Sequence, residues 1–318
     1  AVRYAPVDRA RYWRAFFRTH RPRIGLVMEM EFWPAMIEAA RVAGCTLCLA
    51  NAQVPGKSFP RARRVAALFG HPVARAAAVL AKSDAMASRF RTIGAKDVRV
   101  VGETRFDIAP PEGQVAKGRV LTGERPVLTL ASVVEGEEDI YAKLAHDLIA
   151  GPSPPLVIWV PRAPELFEAT AERLRAAGFR VTLRSEAFDA DLMPRMPLGD
   201  TEILLGNSLG EMFFYLSPAD AVIVGGGFVE KGAHNVIEPL SLGKPVLTGP
   251  HVWTIEFPGV EARAAGVLSV VPSEENLADA VRQAMRSGGP AARAFHAANT
   301  GASARIFEAV RPLRDANT

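Results

Sequence analysis

The residues best suited to chemistry lie between Gly225 and Pro250, in the run GGGFVEKGAHNVIEPLSLGKPVLTGP. Glycines 225, 226, 227 and 232 allow a backbone to approach a ligand closely. The spacing predicts a short helix over residues 235–242, stopped at Gly243. Amides at a helix N-terminus carry the positive end of its dipole, so a phosphate docks there without a dedicated cationic side chain. Asn235, Val236, Ile237 and Glu238 open that helix, and Glu238 suits a carboxylate that accepts hydrogen bonds from the two hydroxyls of a ribose. His234 reads equally as a core or capping residue and as a ligand, because a lone histidine is weak evidence.

Other candidates close or follow apolar runs. Glu29 and Glu31 end IGLVMEME two residues apart, which on a strand puts both carboxylates on one face. Like charges there repel unless a cation or a sugar hydroxyl lies between them, and the competing reading is a solvated strand end ahead of a helix that favours acids. Pro161 and Arg162 close PLVIWVP, where a guanidinium clasps a phosphate bidentately or makes a structural ion pair. Leu209, Gly210 and Glu211 open a helix after EILLGN, with Gly210 letting a base or ribose approach the backbone. Arg105 follows VRVVG, as a group that reaches a phosphate or as a plain surface arginine. Ser132 closes VLTLAS, and the acids of EGEE at 135–138 read as helix caps.

The elements that must hold these residues alternate between apolar strands and amphipathic helices, the pattern of parallel α/β layers. Strands are expected at 24–29, 45–51, 76–83 and 98–102, and helices at 9–20, 34–43 and 85–93. The sequence loosens from Ile108 to Arg125 with Pro, Gly and charge, so a linker is expected at 111–125. A second series follows, with strands in VLTLAS, PLVIWVP, FRVTLRS, EILLGN, AVIVGG and PVLTGP and helices at 137–149, 165–177, 274–286 and 290–310. The expected fold is α/β, with two Rossmann-like doubly wound domains facing a cleft at 1–110 and 126–318, the C-terminal helix packing back on the first. The first domain is expected to be incomplete at its start, because the chain opens on a helix with no initial strand.

With 318 residues, 49% of them hydrophobic, the chain can bury two cores, and no stretch is low-complexity. A net charge of +4, carried mainly by arginine, suits nucleotides, phospholipid head groups or phosphorylated glycolipids. It falls short of a nucleic-acid binder, and no base-reading or stacking motif is present. Cys45 and Cys48 fit C-x-x-C on an expected strand, where residues three apart face opposite ways, so they read as buried cysteines rather than a metal or redox pair. There is no signal-peptide pattern and no apolar run of membrane-span length. RARYWRAFFRTHRPR reads as a helix whose Tyr12, Trp13, Phe16 and Phe17 face a core, with an anionic membrane surface as the alternative.

MEMEFWP at 28–34, LANAQ at 49–53, GETRFDI at 102–108, EGEE at 135–138, VPRAPE at 160–165, LGE at 209–211 and GAHNVIEPLSLGKPVLTGPH at 232–251 follow one another in an order that resembles the 3-deoxy-D-manno-octulosonic acid (Kdo) transferases of lipid A biosynthesis. The resemblance implies a two-domain GT-B glycosyltransferase and a metal-independent, inverting transfer of Kdo. The donor would be CMP-Kdo and the acceptor a lipid A precursor, at the cytoplasmic face of the inner membrane, with no cofactor. It implies CMP binding by Pro161, Arg162, Leu209, Gly210, Glu211, Asn235, Val236, Ile237 and Glu238, and transition-state stabilisation by Glu29 and Arg105. The family's general base is a glutamate in a glycine-rich loop after the first strand, expected upstream of this chain. Departures lie mainly on the sugar side: Val133 and Val134 replace Thr-His, Ala163 a histidine, Gln53 an arginine, Arg105 a lysine, Ala35 an asparagine and Ala233 a glycine. Alternatives are a transferase or epimerase for another nucleotide sugar, and a non-catalytic nucleotide-binding remnant.

Overall fold

The computed structural model describes residues 4–29, 33–121 and 123–315. The chain forms two compact units, one running to Asp107 and resuming at Asn299, the other spanning Ile108–Ala298.

In the first unit, β1 (Ile24–Met28), β2 (Thr46–Ala52), β3 (Ala78–Ala81) and β4 (Val98–Val100) pair in parallel in that order. Side chains alternate across the sheet. Leu47 packs with Trp13 and Phe17 of helix Ala10–His20 and with Met36 and Ile37 of helix Pro34–Val42. Cys48, Ala50 and Leu80 pack with Ile306 and Ala309 of helix Ala302–Asp315. Of the N-terminal aromatics, Trp13 and Phe17 are therefore core residues and Phe16 packs against them, whereas Tyr12, expected to face the core too, is exposed. Cys45 and Cys48 belong to separate clusters, and burial pushes the Cys48 thiol up to about 11. Helix Phe59–Phe69 has no counterpart in the sequence reading; it fully buries none of its residues, and only Phe59, Ala62 and Ala66 are half-buried.

The single closing helix expected at 290–310 is two helices, Pro290–Asn299 and Ala302–Asp315, parted at Gly301 with φ 89°. Asp107 accepts from the amides of Gly301 and Ser303, so it caps the second helix. Asn299-Thr300-Gly301 announces the break, but the flanking alanines mask it.

In the second unit, β5 (Val127–Val133), β6 (Leu156–Pro161), β7 (Val181–Leu183), β8 (Ile203–Leu205), β9 (Ala221–Val224), β10 (Val246–Thr248) and β11 (Leu268–Val270) form one parallel sheet. The order is β11-β10-β9-β5-β6-β8-β7. Leu130, Trp159 and Ile223 pack on one face with Tyr141, Leu174 and Val281 from three helices. Val222, Val224 and Val246 pack on the other with Leu216, Ile255 and Ala292. After β5 the chain builds the sheet to one side through β6, then returns to β9 on the other. This reversal makes the crevice beyond the carboxyl ends of β5 and β9 a topological switch point, where ligands of open parallel sheets bind.

Residues 111–125, read as a linker, carry helix Glu112–Arg119. Val115 of this helix packs with Phe213 and Leu216 inside the second unit. Gly118 marks a close approach rather than flexibility, because a Cβ there would collide with Ser217 Oγ and the Phe214 carbonyl. Gly118→Ala is expected to lower the unfolding free energy by about 1–3 kcal/mol through overpacking, measured by urea denaturation.

Candidate active-site residues in the two units

Parallel pairing brings the carboxyl ends of β1, β2 and β3 to one edge of the first sheet. There the backbone turns through left-handed conformations at two non-glycine residues, Glu29 at φ 64° and Asn51 at φ 52°. Each costs on the order of 1–2 kcal/mol and persists only where surrounding contacts impose it. Glu29 thus leaves the strand, so the alternation that would set it beside Glu31 does not apply. Glu31 lies outside the described residues.

The contacts that impose this geometry are ionic. Lys82 Nζ, at the end of β3, lies 2.8 Å from Glu29 Oε2 and 2.6 Å from Glu103 Oε2. Asn51 Nδ2 donates to Glu29 Oε1 and Glu103 Oε1, each at 2.9 Å, and its Oδ1 accepts from the Thr104 amide. Gln53 Nε2 donates to Glu29 Oε2 at 2.6 Å, and Arg105 Nη2 stands 3.6 Å from Glu29 Oε1. The Lys82 and Glu103 side chains are each 2% exposed, against 31% for Glu29 and 49% for Arg105. A buried frame therefore presents one carboxylate edge and one guanidinium to solvent. Burial opposes ionisation of Glu103, but Lys82, Asn51 and Arg105 outweigh it and hold the carboxyl below the ordinary glutamate value.

Glu29 and Arg105 were legible in the sequence as candidates; Lys82, Asn51 and Glu103 were not singled out. Their visible signal is a lysine closing the apolar strand AVLA, since a buried cation requires an acid partner.

At the switch point of the second unit the glycine-rich turn is filled from within. Glu137, fully buried, accepts from the amides of Gly226 at 2.8 Å, Phe228 at 3.0 Å and Val134 at 3.3 Å, and from the Tyr141 hydroxyl at 3.2 Å. A Cβ at Gly225 would sit 2.9 Å from Glu137 Oε2, so that glycine serves the carboxylate's approach. The open phosphate cradle expected from glycines 225–227 is corrected accordingly: a protein carboxylate occupies the Gly226 and Phe228 amides. Glu137 holds the N-cap position of helix Glu138–Ile149, but its side chain does not cap that helix; it ties the loop after β5 to the loop after β9. Burial, and then the charge of Glu137, pushes the Tyr141 hydroxyl well above the ordinary tyrosine value.

The remaining candidates line the carboxyl edge of the same sheet. Pro161 ends β6 and is buried, while Arg162 is exposed and anchored by its amide to the Val133 carbonyl at 2.8 Å. His234 follows β9, and its Nε2 is buried without a hydrogen-bond partner. Burial, then the nearby Arg162 charge, lowers its pKa, which places the imidazole within electrostatic reach of that guanidinium. The helix expected from Asn235 is Ile237–Ser241, because Asn235 Oδ1 accepts from the Ile237 amide and Val236 takes the cap position. Glu238 lies in its first turn. After β8, Leu209 is exposed and Gly210, at φ 77°, has open space where a side chain would stand. Glu211 turns inward to Arg184 and to Ser208 Oγ at 2.5 Å, fixing this loop. Val133 and Val134 are packed as apolar residues. Among the described residues no group of His, Cys, Asp or Glu is arranged to hold a metal ion.

Two parallel α/β units with polar residues gathered at strand carboxyl ends are the architecture of the GT-B fold. A glycosyltransferase from Rickettsia africae has this fold at TM-score 0.56, with 10% identity over 96% of this chain and 80% of its own. The UDP-GlcNAc 2-epimerase from Methanocaldococcus jannaschii shares it at TM-score 0.57, with 14% identity over 87% and 74%. The family model described as 3-deoxy-D-manno-octulosonic-acid transferase (kdotransferase) matches residues 1–108. The 3-deoxy-D-manno-octulosonic acid transferase of Bordetella pertussis is 36% identical over 96% of this chain and 73% of that protein. That of Haemophilus influenzae is 27% identical over 99% and 75%. The chain belongs to the Kdo transferase family.

Removing the cation between the two carboxylates, Lys82→Met, is expected to cost about 3–5 kcal/mol, because it leaves buried charge uncompensated. Because the folded pKa of Glu103 is lowered, its stabilisation is full above the ordinary glutamate value and fades as pH falls through the lowered one. Glu103→Gln should therefore flatten the acid limb of stability against pH, read by urea unfolding at stepped pH.

Proposed function

We propose that the chain transfers Kdo from CMP-Kdo to a lipid A precursor of the lipid IVA type. In this reading the transfer inverts the anomeric centre, needs no metal, and takes place at the cytoplasmic face of the inner membrane, with the enzyme peripheral to it. Family membership supports Kdo transfer by this glycosyltransferase, and the charges at the strand ends support the assignment of roles. No described helix is long and apolar enough to cross a membrane.

Arg162, with Pro161 shaping its turn, takes the donor phosphate. Asn235, Val236, Ile237 and Glu238 take the ribose side, and Leu209, Gly210 and Glu211 the base side. Because the Gly226 and Phe228 amides already serve Glu137, the phosphate is assigned to Arg162 rather than to the glycine turn. As CMP departs, the sugar ring gains positive, oxocarbenium-like charge. A fixed carboxylate at Glu29 favours that charge, and Arg105 meets the negative charge that develops with it.

The observation that carries this reading is the saturation of Glu29. Both its oxygens accept from Lys82, one also from Asn51 and the other from Gln53. Donors at the ends of β2 and β3 fix the carboxylate in place, and in this reading it serves as an oriented charge and not as the base. The acceptor's proton goes to a separate glutamate, the one the family resemblance calls for.

With purified protein, CMP-Kdo and lipid IVA, Glu29→Gln and Arg105→Gln are expected to lower kcat about 100-fold. Calorimetric CMP affinity should stay within about twofold of the parent for both. Arg162→Gln should instead weaken CMP binding about tenfold, the scale of one charge-assisted contact. Turnover should persist in EDTA. Preference for UDP over CMP would transfer the assignment to another nucleotide sugar.

A further inference from the structure

At the amino edge of the first sheet, opposite the strand ends that carry Glu29, lies a cavity of about 560 Å³. Arg14, Arg18, Arg21 and Arg23 line it, and buried Phe17 contributes apolar floor. Its volume lies within the range of small-molecule sites. Residues 9–23 hold arginines 9, 11, 14, 18, 21 and 23 and no acid, a charge of +6 in a chain of net +4, so the rest of the chain carries 4 − 6 = −2.

Among the described residues, none of these four guanidiniums has a carboxylate within ion-pair distance. Arg41 and Arg75 of the same unit pair with Glu38, and Arg99 with Asp97, whereas exposed Arg61, Arg63 and Arg64 also have no carboxylate partner among the described residues. The negative end of helix Ala10–His20 accounts for Arg18, and for Arg21, whose Nε lies 3.4 Å from the Arg18 carbonyl. It does not account for Arg14, a turn earlier, or Arg23, beyond the helix.

Four like charges around one cavity raise each other's energy, and a multivalent anion relieves that repulsion while matching the planar guanidinium fork. We infer that this cavity binds a phosphate-class anion, a phosphomonoester or pyrophosphate group, with an uncharged body resting on the apolar floor. The five residues of β1 span about 16 Å at ~3.3 Å per residue, so the site stands apart from Glu29 at the strand's other end. The inference is independent of the reaction proposed above.

Pyrophosphate in solution and phosphatidic acid in phosphatidylcholine vesicles are the two probes, titrated against the full chain by calorimetry and by vesicle flotation. The chain is compared with Arg14→Gln/Arg18→Gln/Arg23→Gln, with Arg18→Gln alone, and with Arg282→Gln as a control outside the site. Circular dichroism melts verify folding, and the single variant decides if the triple one does not fold. At least one probe is expected to bind, with affinity falling about tenfold or more in the cavity variants and unchanged in Arg282→Gln. Loss confined to pyrophosphate assigns a soluble phosphate, and loss confined to vesicles assigns a lipid headgroup. Binding of neither probe, or equal loss in the control, overturns the inference.

Discussion

A lysine ammonium held out of water between two carboxylates is the constraint on which the first unit depends. Lys82, 2% exposed, joins the end of β3 to Glu29 after β1 and to Glu103 after β4, so one point charge gathers three separate strand ends. A buried ion pair is weak evidence of stability, since apolar packing of equal volume often does as well. What apolar packing cannot supply is direction. The two strained residues, Glu29 and Asn51, are the ones this charge and its hydrogen bonds hold, and they aim the Glu29 carboxylate toward solvent beside Arg105.

The second unit solves the same problem with the opposite sign. Its strand-end loops are gathered by a buried carboxylate, Glu137, bonded to backbone amides of two loops across the switch point. The glycines there supply positive φ and close approach, at Gly226 with φ 87°, and Glu137 uses the donors they expose. Because that carboxylate fills the inner amides, the proposed donor site is assigned to Arg162 and the Asn235–Glu238 turn instead.

The elements were largely visible in the sequence because their signals are local. Apolar runs such as LVIWV and AVIV have nowhere to go but a buried parallel sheet, and Ser83 opens helix Asp84–Thr92 by accepting from the Met86 amide. Where local signals mislead, packing is the cause. The stretch 111–125 looks like a linker by its glycines and charge, yet Gly118 is there to let a helix touch Phe214. Glu29 looks like a strand residue by alternation, yet the ionic frame turns it out of β1.

The sequence by itself determined the α/β class and the opposite facing of Cys45 and Cys48, which follow from residue type and short-range period. It put forward Glu29, Arg105, Arg162 and Glu238 as candidates, from their place at the ends of apolar runs and from the family resemblance. Only the tertiary structure decided that Lys82, Asn51 and Glu103 frame Glu29, and that Glu137 occupies the glycine turn. Those partners lie 53 residues away for Lys82–Glu29 and 89 for Glu137–Gly226. Pairing at such separation depends on which strands become neighbours in the sheet, and no local pattern encodes that.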